Sequence, residues 1–302
     1  MKLRPPEEQD FDSMLDLFAA TETAAYGAPE TTREELEQWL TAPTVDVERD
    51  IRLAFVGDRL TGYVDIDRVD GEPVRWWSDV RVHPDEDPRE RVPELVAWAE
   101  ERASEGGILR IWVPSALVAA KSAVGELGFA RIRSSYRMEI DLDDTAPAGV
   151  PAGIGIRPLA TGEEPLAHEI HQEAFADAWE HVPEPYDEWR HWLVDTGSYD
   201  PSLWFLAWDG DRPAGAALNR ERNGMGWVGI LAVRRDWRRR GIGRALLEHS
   251  FAAFRARGLE RAGLGVDAGS LTGANRLYEA VGMRVARELE FWDKHLSGPP
   301  LG

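Results

Sequence analysis

The chain has 302 residues, of which 43% are hydrophobic, and its formal net charge is −19. This length accommodates two domains with real hydrophobic cores, and the acidity argues against nucleic acid as a general partner, because a duplex would be repelled. Cysteine is absent, which excludes disulfides, thiolate nucleophiles and cysteine-based metal sites. No membrane-length apolar stretch and no signal-peptide pattern is found, so we expect a soluble, cytoplasmic protein.

Short segments of the first half recur in the second half at a nearly constant offset. Three pairs are separated by 153 residues and a fourth pair by 154. The pairs are Leu3-Arg4-Pro5 with Ile156-Arg157-Pro158, Trp39-Leu40 with Trp192-Leu193, GDRLTG (57–62) with GDRPAG (210–215), and Leu127-Gly128-Phe129 with Val281-Gly282-Met283. Four matches in the same order predict two copies of one fold of about 150 residues each.

The repeat predicts where the two domains begin and end. We assign residues 1–141 to the first domain and residues 154–302 to the second. The segment between them, 142–153, is rich in proline, glycine and small residues, as expected of a linker. The two halves differ in charge, since residues 1–150 carry −15 and residues 151–302 carry −4.

The second copy shows an alternation of helical and strand patterns, and the first copy follows the same order. In chain order we predict helices over 163–179 and 185–195, strands over 203–208, 214–219 and 227–233, a helix over 241–257, a strand over 262–266, a helix over 274–281 and strand material to Trp292. Gly258 and Gly282 terminate the last two helices. This order predicts an α/β fold with a mixed sheet in each of two tandem domains.

The stretch RRDWRRRGIGRALL (234–247) concentrates six arginines beside two glycines in an otherwise acidic chain. A strand leads into this loop and the loop opens a helix, whose first N–H groups lack internal partners. Glycines let a ligand approach that backbone closely. The pattern predicts a phosphate or pyrophosphate site, whereas a solvated basic helix start is the simpler structural interpretation. A dinucleotide fingerprint and a Walker loop are excluded, because Leu246 replaces the third glycine and no G-K-[ST] follows.

The second half of the chain resembles the GNAT superfamily of acyl-CoA N-acyltransferases. Their loop signature, [Q/R]-x-x-G-x-[G/A], stands here from Arg238 to Gly243. Their later helix signature, Ala-x-x-Leu-Tyr followed by Gly-Phe or Gly-Met, stands here from Ala274 to Tyr278 with Gly282-Met283. The resemblance covers roughly 155–292 and extends through the repeat to 1–140, which implies a tandem acetyltransferase.

The resemblance implies an enzyme that moves an acetyl group from acetyl-CoA to a primary amine of a small molecule by direct attack. A backbone N–H near Leu231 would polarise the thioester carbonyl, and Tyr278 would donate a proton to the departing thiolate. The loop amides would hold the pyrophosphate of acetyl-CoA, and the preceding strand edge would pair with its pantetheine arm. The cofactor-binding residues implied in this way are Leu231, Ala232, Val233, Arg238, Arg239, Arg240, Gly241, Ile242, Gly243, Arg244 and Ala245.

Two positions of the second copy depart from the family pattern. Many members carry a glutamate base on the strand before the loop, where this chain has Gly229. We therefore predict Glu221, at the end of the preceding strand, as the substitute base. The usual asparagine before the last helix is also out of register, so either Ser270 or Asn275 is expected to contact CoA.

The first copy departs further. Aligning Val82 with Val233 places HPDEDPRERV (83–92) over the arginine loop, so that Asp87 corresponds to Arg238 and Glu90 to Gly241. Carboxylates there would repel a pyrophosphate. We predict that the first copy does not bind CoA productively and instead supports the second copy or forms one wall of the acceptor pocket.

The acceptor side is expected in the segment 168–189, where the family places its specificity. His168 and His171 lie one helical turn apart, but no third ligand is evident, so we predict no metal site. The acidic first copy would favour a cationic acceptor. Two alternative functions stay open, namely a CoA-binding sensor or scaffold without turnover, motivated by Gly229, and a nucleic-acid-binding protein, which the net charge disfavours.

Overall fold

The computed structural model describes residues 2–145, 149–270 and 273–298. In the first half, the elements are β1 Lys2–Arg4, α1 Phe11–Tyr26, α2 Arg33–Leu40, α3 Val47–Asp50, β2 Ile51–Val56, β3 Arg59–Asp65, β4 Asp67–Val69, β5 Arg75–Ser78, β6 Val80–Val82, α4 Pro88–Arg102, β7 Gly107–Pro114, α5 Val118–Glu126 and β8 Ala130–Asp141. In the second half, they are β9 Ile154–Pro158, α6 Glu164–Phe175, α7 Tyr186–Leu193, β10 Phe205–Asp209, β11 Arg212–Arg222, β12 Met225–Val233, α8 Ile242–Ala256, β13 Arg261–Asp267, α9 Ala274–Ala280 and β14 Arg284–Leu296.

The chain forms two compact units that exchange their last strands. One unit comprises residues 1–135 and 287–302, and the other comprises residues 136–286. In the first unit, β14 therefore pairs with β7, antiparallel, from Leu289 against Pro114 to Leu296 against Gly107. A buried ion pair between Arg110 Nε and Asp293 Oδ1, 2.7 Å apart, joins the same two strands.

The first unit contains two runs of paired strands. Their orders are β1-β2-β3-β6 and β4-β5-β7-β14. Helix α4 packs its apolar residues Val92, Leu95 and Val96 into a core with Trp76 and Leu109. These positions repeat at helical spacing, which is why residues 88–102 form an amphipathic helix.

The second unit has the strand order β8-β13-β12-β11-β10-β9. Because side chains alternate along a strand, neighbouring residues of β11 serve different cores. Leu218 packs beneath α6 and α7 together with Trp189, whereas Ala217 packs beneath α8 together with Leu246. Strand β12 lies between the same two helical layers, since Val228 packs with α8 and Ile230 packs with α6 and α7. This strand leads directly into the arginine loop.

The structure confirms the predicted α/β class with a mixed sheet and the element order of the second copy, with ends shifted by a few residues. The largest shifts are four residues, since α6 ends at Phe175 rather than at 179 and β14 ends at Leu296 rather than at Trp292. The sequence predicts two domains that are each continuous in the chain, 1–141 and 154–302. In the structure the first unit also contains residues 287–302, and the repeat does not reveal this strand exchange. Residues 142–145 and 149–153 of the predicted linker belong to the second unit, and residues 146–148 lie outside the described part.

Several described linker residues make contacts within that unit. Leu142 is buried among residues of α8 and β13, and the backbone N–H of Gly149 donates to Glu248 Oε2 at 3.0 Å. Within the described residues, none of the helices combines the length and the apolar character that crossing a membrane requires.

Candidate active site

The β11–β12 hairpin fixes the register of the strand that precedes the arginine loop. Asn223 and Gly224 form its two-residue turn, both with positive φ, at 50° and 68°, as expected of a type I′ hairpin turn. Pairing then runs regularly from Arg222–Met225 to Asn219–Val228. The next pair is Leu218 with Ile230, which leaves Gly229 as the extra residue of a β-bulge.

The bulge coincides with the end of the pairing between β12 and β13. These strands are parallel and paired only from Gly226–Ala262 to Val228–Leu264. Beyond the bulge, residues 230–233 pair with β11 on one side, and their other edge has no strand partner among the described residues. An open strand edge of this kind is able to pair with an extended amide-containing ligand.

The loop after β12 presents a run of unused backbone donors. It turns through Arg239 and Gly241, with φ of +62° and +79°, and Gly241 is the N-cap residue of α8, with no side chain capping the helix. Within the described chain, the N–H groups of residues 239–244 have no hydrogen-bond acceptor. Six consecutive free amides at a helix start form a site of positive potential that suits a phosphate or pyrophosphate.

Both positions of the loop signature favour glycine for a physical reason. Gly241 has a positive φ, which disfavours other residues, and a Cβ there would lie 3.4 Å from Pro151 Cγ. A Cβ on Gly243 would lie 3.3 Å from Leu277 Cδ2 and 3.6 Å from Val233 Cγ2. Gly243 therefore allows the first turn of α8 to pack against β12 and α9.

Most arginines of the loop are bound to carboxylates of the same unit. The nitrogen–oxygen ion pairs are Arg234–Glu169 (2.6 Å), Arg238–Asp177 (3.1 Å), Arg240–Asp209 (3.0 Å) and Arg244–Glu248 (2.7 Å), together with Arg235–Asp177. Arg238 also donates to the carbonyl oxygens of Ala174, at 2.8 Å, and Val233, at 3.3 Å. The signature arginine thus ties the loop to α6 and to the end of β12. Arg239 makes no such pair in the described chain.

Tyr278 lies on α9 in the core formed by β13 and α8. Its side chain is only 7% exposed, and burial raises the pKa of Tyr278 to about 12. The hydroxyl has no hydrogen-bond partner within the described residues. It is therefore protonated at neutral pH and available as a donor, which are the two properties that a general acid requires.

Asn275 and Ser270 organise the segment between β13 and α9. Asn275 Nδ2 donates to the carbonyl oxygens of Asp267, at 3.2 Å, and Ala268, at 2.9 Å, while its buried Oδ1 has no partner. The backbone N–H of Ser270 donates to Asp267 O at 3.1 Å. Asn275 can therefore offer a ligand only an acceptor, because its donors hold the turn.

The structure separates Glu221 from the loop. Glu221 pairs with Gly226 at the start of β12, about 16 Å along the strand from Leu231. Its carboxylate lies 3.3 Å from Arg257, which directly follows α8 and is therefore at the opposite end of that helix from Gly241. This placement favours a structural partner of Arg257 over the predicted base, and Gly229 itself carries the bulge.

The segment 168–189 forms an aromatic and histidine cluster over β12. His168 Nε2 donates to Glu184 O at 2.8 Å, and Trp189 Nε1 donates to His171 Nδ1 at 3.2 Å. Burial and the neighbouring His168 and His181 lower the pKa of His171 to about 4, so its imidazole is neutral at pH 7. No cluster of three or more histidine, aspartate or glutamate side chains suited to a metal ion occurs in residues 2–145, 149–270 and 273–298.

Two polar groups of this segment escaped the sequence analysis. Gln172 Nε2 is buried without an acceptor, and its Oε1 accepts from the backbone N–H of Glu184 at 3.0 Å. Burial, with a contribution from Glu188, raises the pKa of the Glu184 carboxyl. No sequence signal identifies these two groups, because nothing in the sequence indicates which polar atoms stay unpaired after folding.

The corresponding loop of the first unit has a different helix start. Asp87 caps α4 by accepting from the backbone N–H of Arg89 at 3.0 Å, and Pro88 occupies the first turn. Proline contributes no N–H, and the capping carboxylate occupies another donor. The helix start that is open in the second unit is therefore closed by its own side chain here.

Comparisons with known proteins agree with this geometry. The model of the Acetyltransferase (GNAT) family matches residues 165–283. A mycothiol acetyltransferase of Kineococcus radiotolerans is 30% identical, with 80% of this chain and 78% of the relative covered. One of Acidothermus cellulolyticus is 33% identical, with 75% and 73% covered.

Solved structures show the same tandem architecture. A GCN5-related N-acetyltransferase from Sphaerobacter thermophilus superposes with a TM-score of 0.79 at 28% identity, covering 99% of this chain and 97% of that chain. A tandem GNAT protein from the clavulanic acid biosynthesis pathway gives a TM-score of 0.77 at 18% identity, covering 99% of each chain. The second likeness concerns the fold alone.

Proposed function

Because the chain belongs to the GNAT family of acetyltransferases, we propose that its second unit transfers an acetyl group from acetyl-CoA to a primary amine of a small molecule. The observation that carries this proposal is the run of free amides at residues 239–244, directly after a strand whose edge opens at a bulge. The first feature suits the pyrophosphate, and the second suits the pantetheine arm.

The loop and strand residues of the second unit fit acetyl-CoA, the proposed acetyl donor. Gly241 and Gly243 place no side chain beside the free amides, and Arg238 holds the loop in place through Ala174 and Val233. The open edge at Leu231, Ala232 and Val233 would pair with the amides of the pantetheine arm. Arg240, Ile242, Arg244 and Ala245 contribute backbone to the same helix start, and the buried Asn275 Oδ1 offers an acceptor.

Acetyl-CoA supplies the acetyl group as a thioester. In our proposal the amine nitrogen bonds to the carbonyl carbon, and the carbon–sulfur bond breaks. A backbone N–H near Leu231 stabilises the negative charge that develops on the carbonyl oxygen. Tyr278 donates its proton to the departing sulfur, and the amine loses its proton to water, because Glu221 is engaged by Arg257.

The acceptor would bind on the α6–α7 side. Ile170 and Trp189 share a hydrophobic cluster with Ile230, the residue after the bulge, so this segment overlies the open strand. Gln172 offers a buried donor without a partner, and Glu184 a carboxyl group with a raised pKa. The similar proteins named mycothiol acetyltransferase support a small-molecule amine as the acceptor class.

In this proposal the first unit supports the second without binding CoA. Its helix start is capped by Asp87, and its charge is strongly negative. A pyrophosphate would there meet carboxylates in place of free amides. One acetyl-CoA per chain is therefore expected.

The test uses the full chain. Calorimetric titration should show acetyl-CoA binding, and free-thiol release should follow addition of a primary amine from a panel of small molecules. Matched N,N-dimethyl amines are the control, because they cannot form a stable amide and should release no thiol. Binding without turnover by any amine would favour a sensor or scaffold, the alternative that Gly229 motivates. Absence of acetyl-CoA binding would overturn the proposal.

A further inference from the structure

The bulge at Gly229 changes the face of the sheet on which the following residues of β12 lie. Side chains two residues apart on a regular strand share a face. Here Val228 packs in the core beneath α8, whereas Ile230 packs with α6 and α7. The bulge therefore sets the orientation of residues 230–233, including the backbone N–H near Leu231 that the proposed reaction uses.

Asn219 is a buried polar residue at the point where β11 faces this bulge. It pairs with Val228, the last pair before the register shift, and its side chain is only 1% exposed. The residues that precede it on β11, Ala216, Ala217 and Leu218, are apolar and buried. Burying an amide among them costs free energy unless its hydrogen bonds are made. The contacts of Asn219 therefore show what the amide does.

The Asn219 side chain links three elements beside the bulge. Its Nδ2 donates to Leu203 O at 2.6 Å, in the segment before β10, and to Ser250 Oγ at 2.9 Å, on α8. Ser250 Oγ in turn donates to Leu246 O at 2.9 Å. Both amide donors of Asn219 are thus used, whereas its buried Oδ1 has no partner among the described residues. The position requires a donor to two acceptors, which holds the side chain in one orientation.

The main chain of Asn219 is held as well. Strand β10 begins at Phe205, which pairs with Ala217, so β10 does not reach Asn219. Trp204 Nε1 takes this place by donating to the Asn219 carbonyl oxygen at 3.1 Å. A shift of β11 relative to β12 at this point would therefore strain three hydrogen bonds of one residue.

The bulged residue lies directly against the same part of β11. A Cβ atom on Gly229 would lie 3.2 Å from Leu218 O, and the Leu218 carbonyl belongs to the peptide group that contains the Asn219 nitrogen. The position of this peptide therefore determines where Gly229 lies. Through Gly229 it also determines how the next N–H groups of β12 are oriented.

We propose that Asn219 is a positioning residue, which holds the bulge and thereby aims the backbone N–H near Leu231 at the thioester carbonyl oxygen. This inference rests on the proposed function, because it concerns the same reaction. An oxyanion donor is effective when it is fixed in advance toward the position of the developing charge. The free amides of residues 239–244 lie beyond the end of β12, so loss of Asn219 should slow the chemical step and leave donor affinity unchanged.

The experiment combines steady-state kinetics, calorimetric titration and isotope-edited infrared spectroscopy of bound acetyl-CoA, all on the full chain. Asn219→Leu removes both donors with little change in volume. It should lower kcat about tenfold or more, since complete loss of an oxyanion donor costs about a hundredfold to a thousandfold. Acetyl-CoA affinity should stay unchanged. The thioester carbonyl stretch, which should lie at lower frequency in the wild-type complex than in free acetyl-CoA, should return toward the free value.

Two further variants separate positioning from a general loss of stability. Ser250→Ala leaves the bond from Asn219 to Leu203 and should change kcat and the carbonyl frequency in the same direction, by a smaller factor. Leu142→Ala truncates a buried side chain of the same unit, whose backbone N–H donates to Glu260 O before β13. This control should melt at a lower temperature and keep both kcat and the carbonyl frequency.

The outcomes distinguish this inference from the proposed function. Wild-type kcat with an unchanged carbonyl frequency in folded Asn219→Leu would overturn the inference and leave the proposed function intact, and so would equal losses in Leu142→Ala. Where Asn219→Leu does not fold, Ser250→Ala decides between the same results. An unshifted carbonyl and no turnover in the wild-type protein would overturn both.

Discussion

Gly243 and Leu277 pack so closely that a Cβ atom on the glycine would lie 3.3 Å from the leucine Cδ2. Gly243 is in the first turn of α8, and Leu277 precedes Tyr278 on α9. One contact therefore links the helix that begins at the free amides to the helix that carries the candidate general acid. The absence of a side chain at Gly243 also lets α8 approach Val233 at the end of β12, where a Cβ would lie 3.6 Å from Val233 Cγ2.

Gly241→Val should abolish measurable acetyl-CoA binding, because it places a β-branched residue at a φ of +79° directly under the amides. The strain should also lower the free energy of unfolding by about 1–2 kcal/mol. Gly258, at the other end of α8, has the same φ of +79°. Gly258→Val is thus a matched control that should lose similar stability and keep acetyl-CoA affinity. Normal affinity in a folded Gly241→Val variant would contradict the loop assignment.

Tyr278→Phe should lower turnover about a hundredfold, the size expected for loss of a general acid. Acetyl-CoA affinity should remain nearly unchanged, because the hydroxyl is assigned to the leaving sulfur. Tyr136 packs against the same core, so Tyr136→Phe provides the control and should keep full turnover. Equal rates for wild type and Tyr278→Phe would remove Tyr278 from the mechanism.

Burial of Tyr278 also predicts an alkaline loss of stability. Its pKa is raised to about 12 in the folded protein, against about 10 in the unfolded chain. Only the unfolded chain therefore ionises between these values, and the stabilisation present below pH 10 is lost as the pH rises to 12. Urea unfolding should show that wild type loses about 2–3 kcal/mol more than Tyr278→Phe across this interval. Parallel losses in the two proteins would contradict the assignment.

Glu221→Gln should change kcat/KM by less than about twofold, because the carboxylate lies beside Arg257 at the far end of α8. Arg257 would retain Asp200, whose Oδ2 lies 2.6 Å away, so the stability cost should stay under about 1 kcal/mol. Steady-state kinetics with thermal melting checks both values. A drop of tenfold or more would restore Glu221 as the base predicted from the sequence.

The sequence predicted the strand–loop–helix unit well because glycine and charge are local signals. The positions of Gly241 and Gly243 specify the turn, and the apolar spacing after them specifies α8. The sequence does not show which arginines of the loop are paired with carboxylates. Glu169, Asp177 and Asp209 come from distant segments and neutralise the loop only after folding, so no local pattern identifies Arg239 as the arginine without a carboxylate.

The strand exchange was equally invisible. The repeat aligns the last strand of each copy with the other in sequence, and this alignment does not show which unit each strand joins. Only the packed structure shows that residues 136–141 complete the second unit and residues 287–296 the first. The bulge at Gly229 depends on pairing with Leu218 and Asn219, which a single strand sequence does not encode. The sequence therefore shows Gly229 only as a departure from the family's glutamate, whereas the structure shows it as the extra residue of a bulge.

Asp87→Ala tests whether the first unit still binds no CoA when its helix cap is removed. Loss of the cap to Arg89 should cost about 1 kcal/mol of stability. Binding should nevertheless remain at one acetyl-CoA per chain, because Pro88 still lacks an N–H and Glu90 still carries a negative charge in the first turn. Calorimetric stoichiometry measures this directly in the full chain. The Gly241→Val variant, titrated in parallel, should reduce the stoichiometry to zero. Two equivalents in wild type would place a donor site in the first unit, and a second equivalent gained only in Asp87→Ala would show that the cap alone had closed it.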